Sequence, residues 1–401
     1  MKHHFLHAED KSINADIVVA GAGLVGLATA VACAKLGKKT VLVDSKKPNA
    51  KLKNATLNKA WDERVYALTT NTLAWLQALG VWAEVDASRV NVINGMQLWD
   101  TQGEKLELHD SDANLANLGV IIESQNLLRA LKTQINALGV TVITDAECTF
   151  LENTEQAIKL VLADGRCISA KLLVAADGVD SWVRQQANIA IRHKDFDQLA
   201  IVANFLAEKN HANIARQWFS PHKTLALLPL PHQHVSMVWA LSTELATELL
   251  TLSSEALTEK VEARSQNELG SLRLVGKTLS FRLKQQTATQ LTTERIVLVG
   301  DAAHQIHPMA GQGMNLGMRD VKQLQEMLTN THAMQDIGEM NFLRKYERAR
   351  RADIATMNTL TNGLDKLFAN NSVVIKQLTG WGFKQLNQQA ILKKLLIQQV
   401  A

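Results

Sequence analysis

The chain has 401 residues, 46% apolar and 20% charged, a balance that excludes a disordered chain and fits a soluble globular enzyme. That length exceeds one small core and suggests two or three compact units. A net charge of +4 with no Lys/Arg block among aromatics gives nucleic-acid binding little support, and Cys33, Cys148 and Cys167 show no metal-ligand spacing, so they read as reduced packing residues.

In chain order, the first residues, Met1 to Lys11, lack an apolar core of signal-peptide length. The run from Ile17 to Ala34 is nearly all apolar, but Gly21, Gly23 and Gly26 divide it into strand, turn and helix rather than a membrane span. Residues 15–45 therefore read as a βαβ unit: strand Asp16–Ala20, turn Gly21–Gly26, helix Leu24–Leu36 with Gly37 at its C-cap, and strand Thr40–Asp44. Residues 46–60, rich in Lys and Asn, read as an exposed loop, and a helix from about Thr69 to Leu79 ends at Gly80.

Alternation predicts strands across 95–108 around Thr101-Gln102-Gly103. A helix over 124–138 carries Arg129, a strand spans Val140–Ile143, and a hairpin at Asp164-Gly165 leads into a buried strand, Lys171–Ala176. From about 190 to 285 the texture changes to strands and polar loops, including Gln198–Leu206, Leu225–Leu230 and Val235–Leu241, then a helix near 255–268. A buried strand, Arg295–Val299, precedes an amphipathic helix, Asn315–Leu328, and the chain is helical from 340 onward.

Three glycine-bearing motifs follow strands. Gly21-Ala22-Gly23-Leu24-Val25-Gly26 fits the dinucleotide fingerprint: Gly21 permits the tight turn, Gly23 lets backbone approach a pyrophosphate, and Gly26 permits close helix–strand packing. Asp44, ending the second strand, is placed to bind an adenosine ribose. Alone this motif does not choose between FAD and NAD. The second is Asp177-Gly178-Val179-Asp180-Ser181-Trp182-Val183-Arg184, which by itself reads equally as an Asp-Gly turn with a Ser N-cap. The third runs Gly300-Asp301-Ala302-Ala303-His304, then His307-Pro308-Met309-Ala310-Gly311-Gln312-Gly313-Met314-Asn315 to Asp320. A strand ending in Gly-Asp and a Gly-rich loop feeding a helix suit a polyhydroxylated, anionic cofactor.

Together the three motifs resemble those of the flavoprotein aromatic hydroxylases, whose prototype is para-hydroxybenzoate hydroxylase. The form from His307 to Asp320 is similar to the signature of the ubiquinone-biosynthesis ring hydroxylases, with Met309 where Val, Ile or Leu is expected. Asp62-Glu63-Arg64 with Leu79-Gly80-Val81-Trp82, and Leu227 to Leu230 with Ser236 to Trp239, resemble further segments of that family. The resemblance implies an α/β fold: a Rossmann-like FAD-binding domain (1–80, 120–189, 286–335), an inserted mixed or antiparallel β-sheet substrate domain (81–119, 190–285) and a C-terminal helical segment (336–401).

It implies FAD held by Gly21, Gly23, Leu24, Val25, Gly26, Asp44, Arg64, Arg129, Asp177, Gly178, Gly300, Asp301, Pro308, Gly311, Gly313, Met314 and Asn315, with a surface ion pair as the alternative role for Arg64 or Arg129. His307, Pro308 and Gln312 are the expected catalytic residues: Pro308 and Met309 exclude water, and loop amides from Gly311 to Asn315 stabilise negative charge on the reduced flavin. His304 and His307 are polar contacts to the site or packing and capping groups. With only Tyr66 and Tyr346 in the chain, a tyrosine relay to a substrate hydroxyl is hard to build. The implied reaction is ring hydroxylation of a polyprenylated ubiquinone precursor through a flavin C4a-hydroperoxide, with O₂ and NAD(P)H as transient reductant, no second GxGxxG being present.

Alternatives are an FAD monooxygenase of another phenol or a non-catalytic flavin-binding subunit; the Trp-x-Trp-x-Ile-Pro segment of flavin halogenases is missing. After Asp365 the chain has Lys366, Lys376, Lys384, Lys393 and Lys394 and no acidic residue, interleaved with Leu392, Leu395, Leu396 and Ile397. Two readings stay open there: docking on a membrane or a ubiquinone-biosynthesis protein complex, or a solvated helix face packed on the FAD domain. The expected location is cytoplasmic, with a peripheral inner-membrane contact under the first of these.

Overall fold

The computed structural model describes residues 12–47, 60–306, 311–332, 334–370 and 372–400. Most of the expected 46–60 loop, and His307, Pro308 and Met309, lie outside the described residues. In chain order the elements are β1 (Ser12–Ala20), α1 (Leu24–Lys35), β2 (Thr40–Asp44), β3 (Val65–Leu68), α2 (Thr70–Ala78), β4 (Val90–Ile93), β5 (Gly95–Trp99) and β6 (Lys105–His109). Then come β7 (Gly119–Glu123), α3 (Ser124–Ala137), β8 (Thr141–Thr144), β9 (Cys148–Asn153), β10 (Ile158–Leu162), β11 (Cys167–Ala175) and α4 (Trp182–Gln186). They are followed by β12 (Ile191–Ala207), β13 (Ile214–Ser220), β14 (Lys223–Pro229), β15 (His234–Ser242), α5 (Thr243–Leu250), α6 (Ser254–Arg264) and β16 (Leu272–Ala288). The last are β17 (Thr292–Thr293), β18 (Ile296–Leu298), β19 (His304–Gln305), α7 (Gly313–Thr329), α8 (Met340–Ala369), α9 (Val373–Gln388) and α10 (Ala390–Val400).

Among the described residues these strands form three sheets. The first has the order β17-β18-β11-β1-β2-β8, with β10 and β9 added beyond β11 as antiparallel partners. Its central pairings, β18 with β11, β11 with β1, β1 with β2 and β2 with β8, are parallel. Parallel strands are covered on both faces, which is why β1, β2 and β11 read as continuous apolar runs: Ile17, Val18, Val19, Leu42, Leu172, Leu173 and Val174 are all fully buried. The apolar segment from Ile17 is thus a central strand followed by a buried helix.

The second sheet has the order β19-β16-β12-β15-β14-β13-β5-β6 and is antiparallel apart from the β13–β5 pair. One face presents Ile201, Ala203 and Phe205 of β12 with Met237, Trp239 and Leu241 of β15, and packs beneath Ala246 and Leu249 of α5 and Leu257 and Val261 of α6. The third sheet, β3-β7-β4, joins the two larger ones.

Several elements differ from expectation. β12 begins at Ile191 rather than Gln198, because a register break between Asp195 and Gln198, with Asp197 at φ +52°, separates an exposed polar half from the buried half. Helix α5 was not anticipated, and α6 ends at Arg264. Arg295 precedes β18 instead of opening it. It sits at φ +60° and is nearly fully buried, its Nη1 donating to Lys171 O and Asp336 Oδ1, each at 3.0 Å.

The C-terminal helices correct the expected packing on the FAD domain. Only the first half of α8 lies there, with Phe342, Leu343 and Tyr346 in the core of the first sheet. Farther along, Phe368 stacks on Phe219 of β13 with ring centroids 3.9 Å apart, and Phe383 of α9 meets Phe368 edge-on. Asn387 brackets β6, donating to Lys105 O at 2.6 Å and accepting from Glu107 N at 3.0 Å. Ion pairs Lys384–Glu104 (2.9 Å) and Lys393–Asp112 (3.4 Å) complete the attachment. The apolar stripe Phe383, Leu386, Leu396 and Ile397 matches the apolar face formed by Leu106 and Leu108, so these helices cover the second sheet.

Candidate functional site

The site is built where three strand ends of the first sheet meet. Gly21, at the end of β1, has φ +102°, and a Cβ there would lie 2.3 Å from Ala176 O. The first glycine turn thus rests on the backbone of the second motif. A Cβ on Gly26 would lie 1.9 Å from Gly21 O and 3.2 Å from Ala176 Cβ, so α1 starts close against the strand it follows. Val25 then meets the third motif: Gly300 (φ +57°) and Gly317 of α7 place their missing Cβ positions 3.1 and 2.9 Å from Val25 methyl carbons.

Polar groups lock this arrangement. Asp44 Oδ2 accepts from Ala22 N at 2.6 Å and Oδ1 from Lys46 N at 2.7 Å, tying the end of β2 to the first turn. Asp177 accepts from Ser181 Oγ (2.5 Å) and Val183 N (3.0 Å), so its carboxylate organises the start of α4. Arg184, buried at that helix, donates from Nη2 to Val179 O at 2.9 Å and from Nη1 to Ala302 O at 3.0 Å, joining the second motif to the third.

Asp320 is the polar centre beneath Gly300. Its Oδ2 accepts from Gly300 N (2.9 Å) and pairs with His304 Nε2 (2.6 Å), while Oδ1 accepts from Arg350 Nε of α8 (2.6 Å). Burial alone would raise this carboxyl. The His304 ring, the Arg350 guanidinium and the Gly300 N–H outweigh it and hold the pKa below the usual carboxylate range. His304 is therefore a core partner of Asp320 rather than a contact to the site. Tyr346 is likewise internal, its hydroxyl donating to Leu298 O at 3.0 Å.

Asp301, next to Gly300, behaves differently. Solvent reaches it, yet the protein crowds it enough that lost hydration raises its carboxyl, against the pull of His304 and Arg64. That is the signature of a carboxyl lining a crevice. Arg64 and Tyr66 stand near it, and Tyr66 is itself pushed up by burial. Asn315, buried at the head of α7, pins β3 by accepting from Thr69 N (3.0 Å) and donating to Ala67 O (2.8 Å).

The Asp62 loop carries the site across to the second sheet. Asp62 accepts from Arg64 N and Gln125 N, each at 3.0 Å, and Asn204 Nδ2 of β12 donates to Asp62 O at 3.0 Å. The face of the second sheet that bears Asn204, opposite the helix-covered one, continues as Val202 and Ala200 on β12 and Ser236, Val238 and Ala240 on β15. It is a largely apolar wall.

Of the expected site residues, the contacts above bring together Gly21, Val25, Gly26, Asp44, Asp177, Gly300 and Asp301, with Asn315 bound to β3; Gly23, Leu24, Gly178, Gly311, Gly313 and Met314 adjoin them along the same turns and helix starts. Gln312 is the N-cap residue of α7, its carbonyl accepting from Leu316 N at 2.9 Å. Arg64 lies near enough to Asp301 for its charge to act on that carboxyl. Arg129 donates to Glu84 O at 2.8 Å, and Lys132 of the same helix feels the charge of Asp44. Arg184, Asp320 and Arg350 had no role assigned from sequence; the first two stood inside the motifs, and that position was the available signal.

The chemistry of the region fits FAD. α1 begins at Gly23 with no side-chain cap, no acidic residue in its first turn and nothing within 4 Å of the missing Cβ, leaving room and free N–H groups for a pyrophosphate. α7 begins in the same uncapped, acid-free way. Asp301 in its crevice supplies an acceptor for hydroxyls.

Residues 14–360 match the family model described as FAD binding domain. The chain is 33% identical over 392 residues to the ubiquinone hydroxylase UbiL of Rhodospirillum rubrum, covering 96% of this chain and 89% of that protein. It is 28% identical to the 3-demethoxyubiquinol 3-hydroxylase of Escherichia coli, covering 94% and 96%. The p-nitrophenol 4-monooxygenase PnpA of Pseudomonas putida shares the fold with a TM-score of 0.78 at 16% identity, covering 97% of this chain and 98% of that one. The chain belongs to the FAD binding domain family.

Proposed function

We propose that this protein is an FAD-dependent monooxygenase that hydroxylates the ring of a polyprenylated ubiquinone precursor, with O₂ as oxygen source and NAD(P)H as reductant. The single observation that carries it is the gathering of the Gly21, Ala176–Asp177 and Gly300 strand ends into one region that the Asp62–Arg64 loop connects to the largely apolar face of the second sheet. The relatives' activities on ubiquinone-type rings give the substrate class. When bound, FAD supplies the redox chemistry that lets O₂ hydroxylate an electron-rich ring.

The chain's own residues would do the following. Gly21, Gly23, Leu24, Val25, Gly26 and Asp44 hold the ADP portion, the N–H groups at the head of α1 facing the pyrophosphate. Asp301 accepts from hydroxyls of the cofactor chain, with Gly300 fixed beneath it by Asp320. The amides from Gly311 to Asn315 at the head of α7 stabilise negative charge near the reacting ring. Asp177 and Gly178 shape the second edge, and Arg64, beside Asp301, balances its charge. The wall of Val202, Ala200, Val238 and Ala240 keeps the substrate side dry. His307 and Pro308 belong to this reading through the motif that contains them.

The test is oxygenation itself. Protein reconstituted with FAD is given NADH or NADPH, ¹⁸O₂ and a short-chain prenylated phenol. One labelled oxygen in the product is the expected result. Reductant consumption that yields only hydrogen peroxide with every phenol offered would refute the reading.

A further inference from the structure

We propose that the outer faces of α9 and α10 form a docking surface for an anionic lipid bilayer. The surface stands independently of the hydroxylase reading, which supplies only its purpose, since a polyprenylated substrate resides in the bilayer.

The first observation is where large apolar side chains are left in water. Leu378 and Trp381 of α9 and Ile391, Leu392 and Leu395 of α10 are all exposed, Trp381 at 62% and Ile391 at 76%. Scattered exposed apolar residues need no explanation, but a cluster of this kind does. Helical spacing makes it a face: 378 and 381 are three apart, 391 and 395 four apart. α10 is apolar on two sides. Its inner side sets Leu396 and Ile397 against the second sheet, and its outer side carries Ile391, Leu392 and Leu395. An apolar side of a helix is normally covered, so the outer side calls for a second apolar medium.

Charge identifies that medium. Residues 366–401 contain five lysines and no Asp or Glu. Lys384 and Lys393 are spent on Glu104 and Asp112 of the protein itself. Among the described residues Lys366, Lys376 and Lys394 make no ion pair, and Lys394 is exposed on α10 beside Ile391 and Leu395. A lysine stem buries its methylenes beside apolar surface while its ammonium reaches a phosphate. Trp favours the membrane interface, where its ring is apolar and its N–H stays wet. Apolar area in a lysine-bearing segment, without acids to repel anionic headgroups, is the composition of an interfacial helix. No helix of the described residues is long and apolar enough to span a membrane, so contact would be at the surface.

The experiment uses the full-length FAD-loaded protein and vesicles of phosphatidylcholine alone or mixed with phosphatidylglycerol. Co-sedimentation with the mixed vesicles, weakening as salt rises, is expected. Lys394→Gln should weaken it about fivefold, at about 1 kcal/mol for the lysine. Ile391→Ser with Leu395→Ser should weaken it about tenfold or more. Phe150→Ser, at another exposed aromatic on β9, should change nothing. All variants should keep wild-type turnover of a water-soluble short-chain phenol. That separates failure of docking from failure of the hydroxylase reading. Absence of binding to mixed vesicles, or equal binding by wild type and the Ile391/Leu395 variant, would overturn the proposal. So would a wild-type dimer that ignores vesicles and that the same variant converts to monomer, which would assign the face to a second copy of this chain.

Discussion

Replacing Asp320 by Asn tests the polar centre beneath the site. The carboxylate is fully buried and serves three donors: Gly300 N, His304 Nε2 and Arg350 Nε. Asn retains the shape but not the charge, and its amide presents hydrogens to His304 or Arg350. Breaking a buried ion pair from one side costs about 3–5 kcal/mol, because the remaining charge stays desolvated. At about 2.1 cal/mol/K per residue, 401 residues have an unfolding entropy near 0.8 kcal/mol/K, so Tm should fall by about 4–6 °C. FAD retention should fall with it, because Gly300 is the residue before Asp301. The pH dependence has a definite sign. A depressed carboxyl contributes stability above its unfolded pKa, near 3.9, and loses it as pH falls through the folded value. The Tm gap between wild type and variant should therefore be constant from about pH 8 to pH 5 and narrow only below about pH 4. Scanning calorimetry across that range, with flavin absorbance on the same samples, is the assay. An unchanged Tm with full flavin content would refute the reasoning.

Gly26→Ala puts a methyl 1.9 Å from Gly21 O, so α1 must shift from β1; the protein should purify largely free of flavin and lose about 1–3 kcal/mol, read by absorbance and urea unfolding. Asp301→Ala removes an exposed crevice carboxylate, so the flavin-free protein should melt within about 1 °C of flavin-free wild type while FAD affinity drops sharply in titration calorimetry. Burial pushes the Cys33 and Cys148 thiols up to about 12. With a thiolate fraction of about 10⁻⁴ at pH 8, iodoacetamide should spare both in native protein and label both in urea, as peptide mass spectrometry would show.

Much of the first sheet was legible because parallel strands announce themselves as apolar runs between glycine turns, and β2 was placed to the residue. The ends of β12 and α6 were less so. Half of β12 is exposed and polar and turns into the buried half through a register break, which carries no periodic signal. The glycines of the site were readable since each answers a steric demand. Its supporting charges were not: Arg184 reaches Ala302 across 118 positions, and Arg350 reaches Asp320 from another helix. Such pairings exist only after folding. Arg129 shows the same limit, since its partner Glu84 O lies 45 positions away. The C-terminal lysines gave a compositional signal, but only packing revealed which of them the protein uses for itself.

Helix α8 has a mechanical consequence. Thirty residues at about 1.5 Å each make a rod of about 45 Å. About a third of the way along, Arg350 grips the carboxylate under Gly300, and about 27 Å farther on Phe368 is stacked on Phe219. The rod thus spans the first and second sheets, which the third sheet and the Gln286 Nε2 to Val179 O bond also connect. Any change in the spacing of these sheets must therefore bend α8 or break one of its two anchors.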